Sequence, residues 1–241
     1  MHTICMVGNM TNKELYRDFC HKTKQLPIFM QDWWLDAVCA GKQWDVLLYM
    51  DEEGKIQAVL PYLLRQRAWM KYIIMPQQTQ IGGIWIDDTV SNNEKKVAEI
   101  SLDFANQLNE MGLSYYYQHY PIGSPMVEHM RAMQFSITER ATYRIEDLTD
   151  LDAVINGFSK NKKRQLQKAL SLHVDYNMCV EDFYRFHVKC LQEKGKQITY
   201  TREFLLVLER KTARLQQSQI VSICNADNEV LAAAFLVWDN H

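Results

Sequence analysis

Two stretches of this chain follow the same order of patterns about 170 residues apart, and that restricts the possible folds more than any bulk property does. The first pair is residues 29–38, FMQDWWLDAV, and residues 200–209, YTREFLLVLE. In each, an aromatic residue precedes a triplet ending in an acid (Asp32 or Glu203), and an apolar-rich run then opens on Trp33 or Phe204. That is one helix start used twice. The second pair follows at once: residues 47–64, LLYMDEEGKIQAVLPYLL, against residues 221–238, VSICNADNEVLAAAFLVW. Both read as strand, polar turn, strand, because DEEG and ADNE tolerate tight reversal and the flanking apolar runs have strand length. From Phe29 to Tyr200 the offset is 171 residues and from Leu47 to Val221 it is 174, a difference of three residues of loop. Helix followed by hairpin is a common succession, so coincidence is the competing account.

After its hairpin the first copy continues. KYIIMPQQTQIGGIWI predicts further strand and turn, NNEKKVAEISLDFANQLNEMG an amphipathic helix closed by Gly112, and LSYYYQHYP another strand. MVEHMRAMQF predicts a helix and ATYRIEDL a strand. The second copy reaches VWDNH directly after its hairpin. The expected organisation is a complete first domain over residues 1–145 and the front part of a second over residues 146–241, with a strand edge and an apolar face left open. A second chain pairing with that edge would give a homodimer.

With 47 % hydrophobic and 23 % charged residues, the 241-residue chain can bury a real core. A formal net charge of −2 removes the whole-molecule positive field of a general nucleic-acid binder and leaves only local patches. The apolar run near the N-terminus is too short for a signal segment and no stretch has membrane-spanning length, so the expected location is cytoplasmic. Cys5, Cys20, Cys39, Cys179, Cys190 and Cys224 are scattered without a Cys-x-x-Cys pair or a histidine at zinc-site spacing. They are expected to be reduced, mostly buried thiols, and no metal is expected.

The strongest local patch is residues 158–170, FSKNKKRQLQKAL. At about 100° per residue Lys160, Lys163, Arg164 and Lys168 fall on one stripe, with Phe158, Leu166, Ala169 and Leu170 opposite. The pattern predicts an amphipathic helix with its apolar side packed inward and its cations outward. Lys162 lies on the apolar side; either it snorkels or the helix begins anew at Ser159, a competent N-cap. A solvated charged face is the ordinary account, but like charges at successive i,i+4 spacings repel unless an anion intervenes.

No catalytic triad emerges. His119 and His187 lack a sequence-local carboxylate, and Cys190 stands one helical turn from His187, as many neutral pairs do. The stretch MPQQTQIGGIW, residues 75–85, leads from amide side chains (Gln80 among them) to Gly82 and Gly83, a pair that would let backbone approach a ligand closely. It matches no phosphate-loop spacing, and a strand end with a bulge is the alternative.

PIFMQDWWLDAV, DVLLYMDEEGKIQAVLPYLL, IIMPQQTQIGGIWI, FSKNKKRQLQKAL and AAAFLVWD occur in the order seen in Fem-like proteins. The chain resembles that bacterial family of tandem GNAT-type acyltransferases over nearly its whole length. The resemblance implies an α/β fold, with helices around a mostly antiparallel mixed sheet that is splayed where an acyl donor, acyl-CoA or aminoacyl-tRNA, enters. It further implies direct attack of an amine on the donor carbonyl, which needs orientation and hydrogen bonds to the oxyanion rather than a nucleophilic residue. It places Lys160, Arg164 and Lys168 against an anionic, cell-wall-precursor-like acceptor; Lys163 on the same stripe, and Gln80, Gly82 and Gly83 from the reading of residues 75–85, complete the candidate substrate-binding residues. The Gln/Arg-x-x-Gly-x-Gly/Ala turn that seats a donor pyrophosphate in GNAT proteins is not matched, since IWIDD follows QIGG. With the second domain read as incomplete, weak catalysis is expected. The alternatives are a non-catalytic GNAT-like domain that binds an anionic ligand or protein, and an RNA-binding protein using the basic helix.

Overall fold

The computed structural model describes residues 10–23, 26–39, 44–143, 145 and 147–239. The chain divides into two compact units, residues 1–137 with 238–241 and residues 138–237.

In the first unit α1 (Asn12–Lys22) starts on a capping box: Thr11 accepts from the Glu14 amide while the Glu14 carboxylate accepts from the Thr11 amide at 2.7 Å. A 3-10 turn, Ile28–Met30, leads into α2 (Asp32–Cys39). The two helices are tied by Tyr16, whose hydroxyl donates to the Met30 carbonyl, and by Arg17, which reaches Asp32 at 3.1 Å and Asp36 at 2.8 Å. Burial between them pushes the Cys20 thiol up to about 12. β1 (Trp44–Met50) and β2 (Ile56–Arg67) form an antiparallel hairpin. β3 (Met70–Ile74) pairs antiparallel with the far end of β2, and β4 (Trp85–Ile86) pairs with it nearer the start. After α3 (Asp88–Ser91) and the 17-residue α4 (Glu94–Glu110), β5 (Tyr115–Tyr116) lies parallel to β3, and α5 (Met126–Ala132) closes the unit's elements. One sheet face, with Leu47, Ala58, Leu60, Tyr62 and Ile73, packs on Ile100, Phe104 and Leu108 of α4 and on Met126 and Met130 of α5. The alternate residues Trp44, Val46 and Val59 are equally buried on the side where α1 packs on β1.

The second unit holds α6 (Leu151–Gly157), α7 (Lys160–Ala169), β6 (His173–Asp175), α8 (Val180–Glu193), α9 (Arg202–Arg214), β7 (Ser218–Cys224) and β8 (Val230–Val237). The sheet order is β6-β7-β8, all antiparallel. Val180 and Phe183 of α8, Leu205 of α9 and Ile220 of β7 form its core, with Ala233 and Phe235 packed against them.

The two hairpins agree residue by residue at an offset of 174. Leu47 faces Leu60 and Val221 faces Ala234; the register slips between Tyr49 and Met50 in one and between Ile223 and Cys224 in the other. Asp51 and Asn225 each hold the turn twice over, once through the backbone (Gly54 or Asn228 donating to their carbonyls) and once through a side-chain oxygen accepting from the amide of Lys55 or Glu229. Gly54 and Asn228 share a positive φ, 79° and 60°. Different residues with the same hydrogen-bonding and conformational capacity, Asp51 and Asn225, Gly54 and Asn228, build the same bulged turn.

Several expectations need correction. α7 does begin at Ser159, whose hydroxyl accepts from the Lys162 amide, but none of its residues is buried. Leu166 is 40 % and Leu170 76 % exposed, so the expected inward apolar face is not buried among the described residues, and Lys162 has no buried side there to escape from. No strand forms among the described residues of 141–148, and β5 is only two residues long. Cys20, Cys39 and Cys224 are buried free thiols, Cys190 is partly buried, and Cys179 is exposed at the N-cap of α8; Cys5 lies outside the described residues.

Candidate functional site

The edge of β2 that faces β3 and β4 is interrupted. Ala58 and Val59 pair with β4, Leu63 to Arg67 pair with β3, and between them Leu60, Pro61 and Tyr62 have no strand partner on that side. Proline at 61 supplies no amide, so the one ladder group it turns outward is its carbonyl. Gln118 takes that carbonyl from Nε2 at 3.0 Å. The chain from Met75 to Ile84 loops out around the break, because Pro76 cannot continue the ladder of β3. A shallow cleft of ≈ 10 Å³, room for about one water molecule, results; it is lined by Phe29, Met30 and Leu35, by Pro61 and Tyr62, by Met75, Pro76, Thr79 and Gly82, and by Gln118.

A directed hydrogen-bond chain holds Gln118. Its Oε1 can only accept, so the Tyr116 hydroxyl at 2.6 Å donates to it, and the Tyr120 hydroxyl donates in turn to Tyr116. Burial raises both phenols, Tyr116 well above its ordinary value and Tyr120 to about 12, so at neutral pH they are hydrogen-bonding groups and not bases. One amide hydrogen of Gln118 is spent on Pro61 and one remains beside the cleft. Trp34 Nε1 donates to the Thr79 hydroxyl at 3.0 Å, tying α2 to the loop, and the Gly82 amide donates to the His119 carbonyl at 2.8 Å. Since the Gln80 carbonyl at 2.9 Å can only accept, Nδ1 of His119 carries a proton, and in the neutral ring Nε2 accepts from the Tyr117 hydroxyl at 2.8 Å.

Of Gln80, Gly82 and Gly83, Gly82 lines this cleft, while Gln80 and Gly83 are not among its lining residues. Gln80 contributes its carbonyl to orient His119. The space that a Cβ on Gly82 or Gly83 would fill is taken by the protein itself: such an atom would stand 2.9 Å from Gln118 Nε2 or 2.5 Å from Tyr120 Cδ1. Lys160, Lys163, Arg164 and Lys168 belong to α7 in the second unit. Lys163 donates to the Asn156 carbonyl at 2.9 Å, capping α6, and Arg164 reaches Asn161 at 3.3 Å. The ammonium groups of Lys160 and Lys168 enter no ion pair among the described residues. Gln118, Tyr116 and Tyr120 belong to no motif; a proline within the strand pattern of LPYLL was the signal of a broken edge. His187 sits on α8 with Nδ1 2.6 Å from the Tyr200 hydroxyl, an internal contact of the second unit. Among the described residues no group of three or more His, Cys, Asp or Glu could hold a metal.

The architecture is a mixed α/β fold, with helices flanking a mixed sheet in the first unit. The chain is similar to the crystal structure of FemX, with a TM-score of 0.55 and 12 % identity, over 90 % of this chain and 57 % of that one. It therefore spans just over half the length of that structure. Slighter likenesses are to the aminoglycoside antibiotic 6'-N-acetyltransferase AAC(6')-Ih from Acinetobacter baumannii (TM-score 0.31, 10 % identity, 58 % of this chain and 95 % of that one). Glucosamine-6-phosphate N-acetyltransferase from Arabidopsis thaliana is comparable (TM-score 0.32, 10 % identity, 57 % and 95 %), and the fold rests on the first likeness alone. No protein-family model and no curated protein matches the chain. No helix among the described residues is long and apolar enough to cross a membrane.

Proposed function

We propose that the chain is a cytoplasmic acyl- or aminoacyltransferase in which the break in the β2 edge receives the acyl donor, acyl-CoA or aminoacyl-tRNA, and an amine of an anionic acceptor attacks it. The observation that supports this most is the parting of β3 and β5 after Ile73 and Tyr116, which leaves Pro61, Gly82 and Gln118 around an open cleft in the sheet. Gln118 has an unspent amide hydrogen there and is fixed at both ends. It is the donor best placed to meet a carbonyl oxygen that gains negative charge during attack. Lys160 and Lys168, uncompensated on α7, are assigned to the anionic acceptor. The further expectation of two tandem domains, residues 1–145 and 146–241, is retained as part of the same proposal; the hairpins matched at an offset of 174 support it.

The test is transfer from labelled acetyl-CoA and from aminoacyl-tRNA to a panel of amines. Gln118→Leu keeps the side-chain volume and removes the donor, so it is expected to lower kcat by about a hundredfold. An unchanged kcat, in a variant whose melting temperature is preserved, ends the assignment. One observation favours a second reading, a domain that binds without transferring: no cleft-lining residue is a carboxylate, histidine or lysine, so nothing there takes up the proton of an attacking amine. Saturable binding of acyl-CoA without turnover for any amine would select that reading.

A further inference from the structure

The first unit carries a second feature that the cleft does not use. β2 outruns the strand on its other side: Trp44 at the start of β1 pairs with Leu63, and beyond it Leu64 to Arg67 pair with β3 alone among the described residues. The ribbon of β2 and β3 therefore projects from the sheet. Arg67 faces Met70 across a turn of two residues, Ala68 and Trp69. Ala68 takes a positive φ of 53°, and Gln66 Nε2 donates to its carbonyl at 3.2 Å, so the turn is tight and braced. At its tip Trp69 is 82 % and Met70 37 % exposed.

Cations collar this apolar tip on both sides. Side chains alternate along a strand, and Leu64 and Ile73, a facing pair, belong to the core under α4. Gln66 and Lys71 continue that face beyond the core, whereas Arg65 and Arg67 lie on the other face, opposite Tyr72 and Met70. No Asp or Glu occurs between Glu53 and Asp87, which covers both strands, and among the described residues Arg65, Arg67 and Lys71 enter no ion pair. A protein or nucleic acid lying on one face of the ribbon would meet the cations of that face alone. A tip ringed by cations suits a medium that closes round it, anionic at its surface and apolar just beneath. Tryptophan settles at the boundary between headgroups and acyl chains, while arginine and lysine reach back along their stems to the phosphates.

We propose that the turn between β2 and β3 docks the protein on an anionic phospholipid surface, with Trp69 and Met70 entering the headgroup layer and Arg65, Arg67 and Lys71 meeting lipid phosphates. Such docking is independent of acyl transfer at the cleft.

Co-sedimentation of the full chain with vesicles tests this directly. Phosphatidylcholine vesicles with about one-third phosphatidylglycerol are expected to bind it about tenfold more tightly than phosphatidylcholine alone, and about 0.5 M salt should release it. Trp69→Ala should weaken binding about tenfold. Arg67→Gln with Lys71→Gln should weaken it about thirtyfold, roughly fivefold for each cation. All three positions are exposed, so the melting temperatures of these variants should match that of the native chain. Brominated acyl chains in the anionic vesicles should quench part of the tryptophan fluorescence, and Trp69→Phe should abolish that quenching, which separates entry of the indole from attraction of charge. Equal binding to neutral vesicles, unchanged affinity in Trp69→Ala, or loss of binding traced to Lys160, Arg164 and Lys168 instead would each overturn the proposal. So would a dimer in lipid-free solution that Trp69→Ala dissociates, because the tip would then be a contact between copies of the chain.

Discussion

Replacing Gly83 by alanine is expected to destabilise the first unit by about 4 kcal/mol, against about 1 kcal/mol for the same change at Gly54. Both glycines have a positive φ, 93° and 79°, so both variants strain the backbone in a similar way. They differ in what the new methyl group meets. At Gly54 nothing lies within 4 Å, whereas at Gly83 the Cβ would stand 2.5 Å from Cδ1 and 3.0 Å from Cε1 of Tyr120. The ring cannot swing aside without breaking its hydrogen bond to Tyr116 and so releasing Gln118. Denaturant midpoints followed by tryptophan fluorescence give the comparison; equal losses at the two glycines would show that Tyr120 is not wedged against the loop. Gly83→Ala should also weaken transfer more than its stability loss explains, because the freed Gln118 amide loses its aim.

Arg17→Ala is expected to cost about 3 kcal/mol. The Asp32 side chain is 8 % exposed, and Arg17 at 3.1 Å is the cation that compensates it; His21, at 4.0 Å and largely in solvent, is a weak substitute. The same guanidinium grips Asp36 through both of its terminal nitrogens at 2.8 Å, a fork that lysine cannot reproduce, so Arg17→Lys should recover only part of the loss. The pH dependence has a definite sign. Burial pushes the Asp36 carboxyl up, but hydrogen bonds from Arg17 and Trp44 outweigh it and hold the group below 3.8. A carboxylate depressed in the folded state stabilises it fully above its unfolded value and loses that contribution as pH falls through the folded one. The contribution of Asp36 to stability should therefore be lost as pH falls below about 4, and Arg17→Ala should flatten that acid limb. An unaltered limb would show that Asp36 is held by other groups.

How much of this was legible depended on whether the physics was local. The hairpins were legible because their turns announce themselves: Asp51 and Asn225 each serve several neighbouring amides from a single side chain, within five residues. α4 and its end at Gly112 were legible from period and punctuation. The apolar side of α7 was misleading for the complementary reason. Spacing shows that Leu166 and Leu170 share a side, but not whether another element meets them, and none buries them. The glycine pair was conspicuous while its cause was not, since Gln118 and Tyr120 approach it from beyond four intervening elements. Pro61 and Gln118, 57 residues apart, define the cleft only once the register of β2 against β3 and β4 is fixed. Side-chain chemistry at the cleft was invisible because an amide and a proline carbonyl form no recognisable motif.

Pro61 has a counterpart in the second hairpin, and the two copies part company there: at the same offset of 174 stands Phe235, which keeps its amide. A strand with a proline on its rim resists being lengthened sideways by a stranger, and Gln118 plugs what remains. β8 has neither defence, for Val230 to Val237 contain no charge and no proline, and among the described residues only β7 pairs with it. The edge of β8 is thus the one on which a second strand could add, and one lysine at an outward position such as Leu231 would act as a gatekeeper.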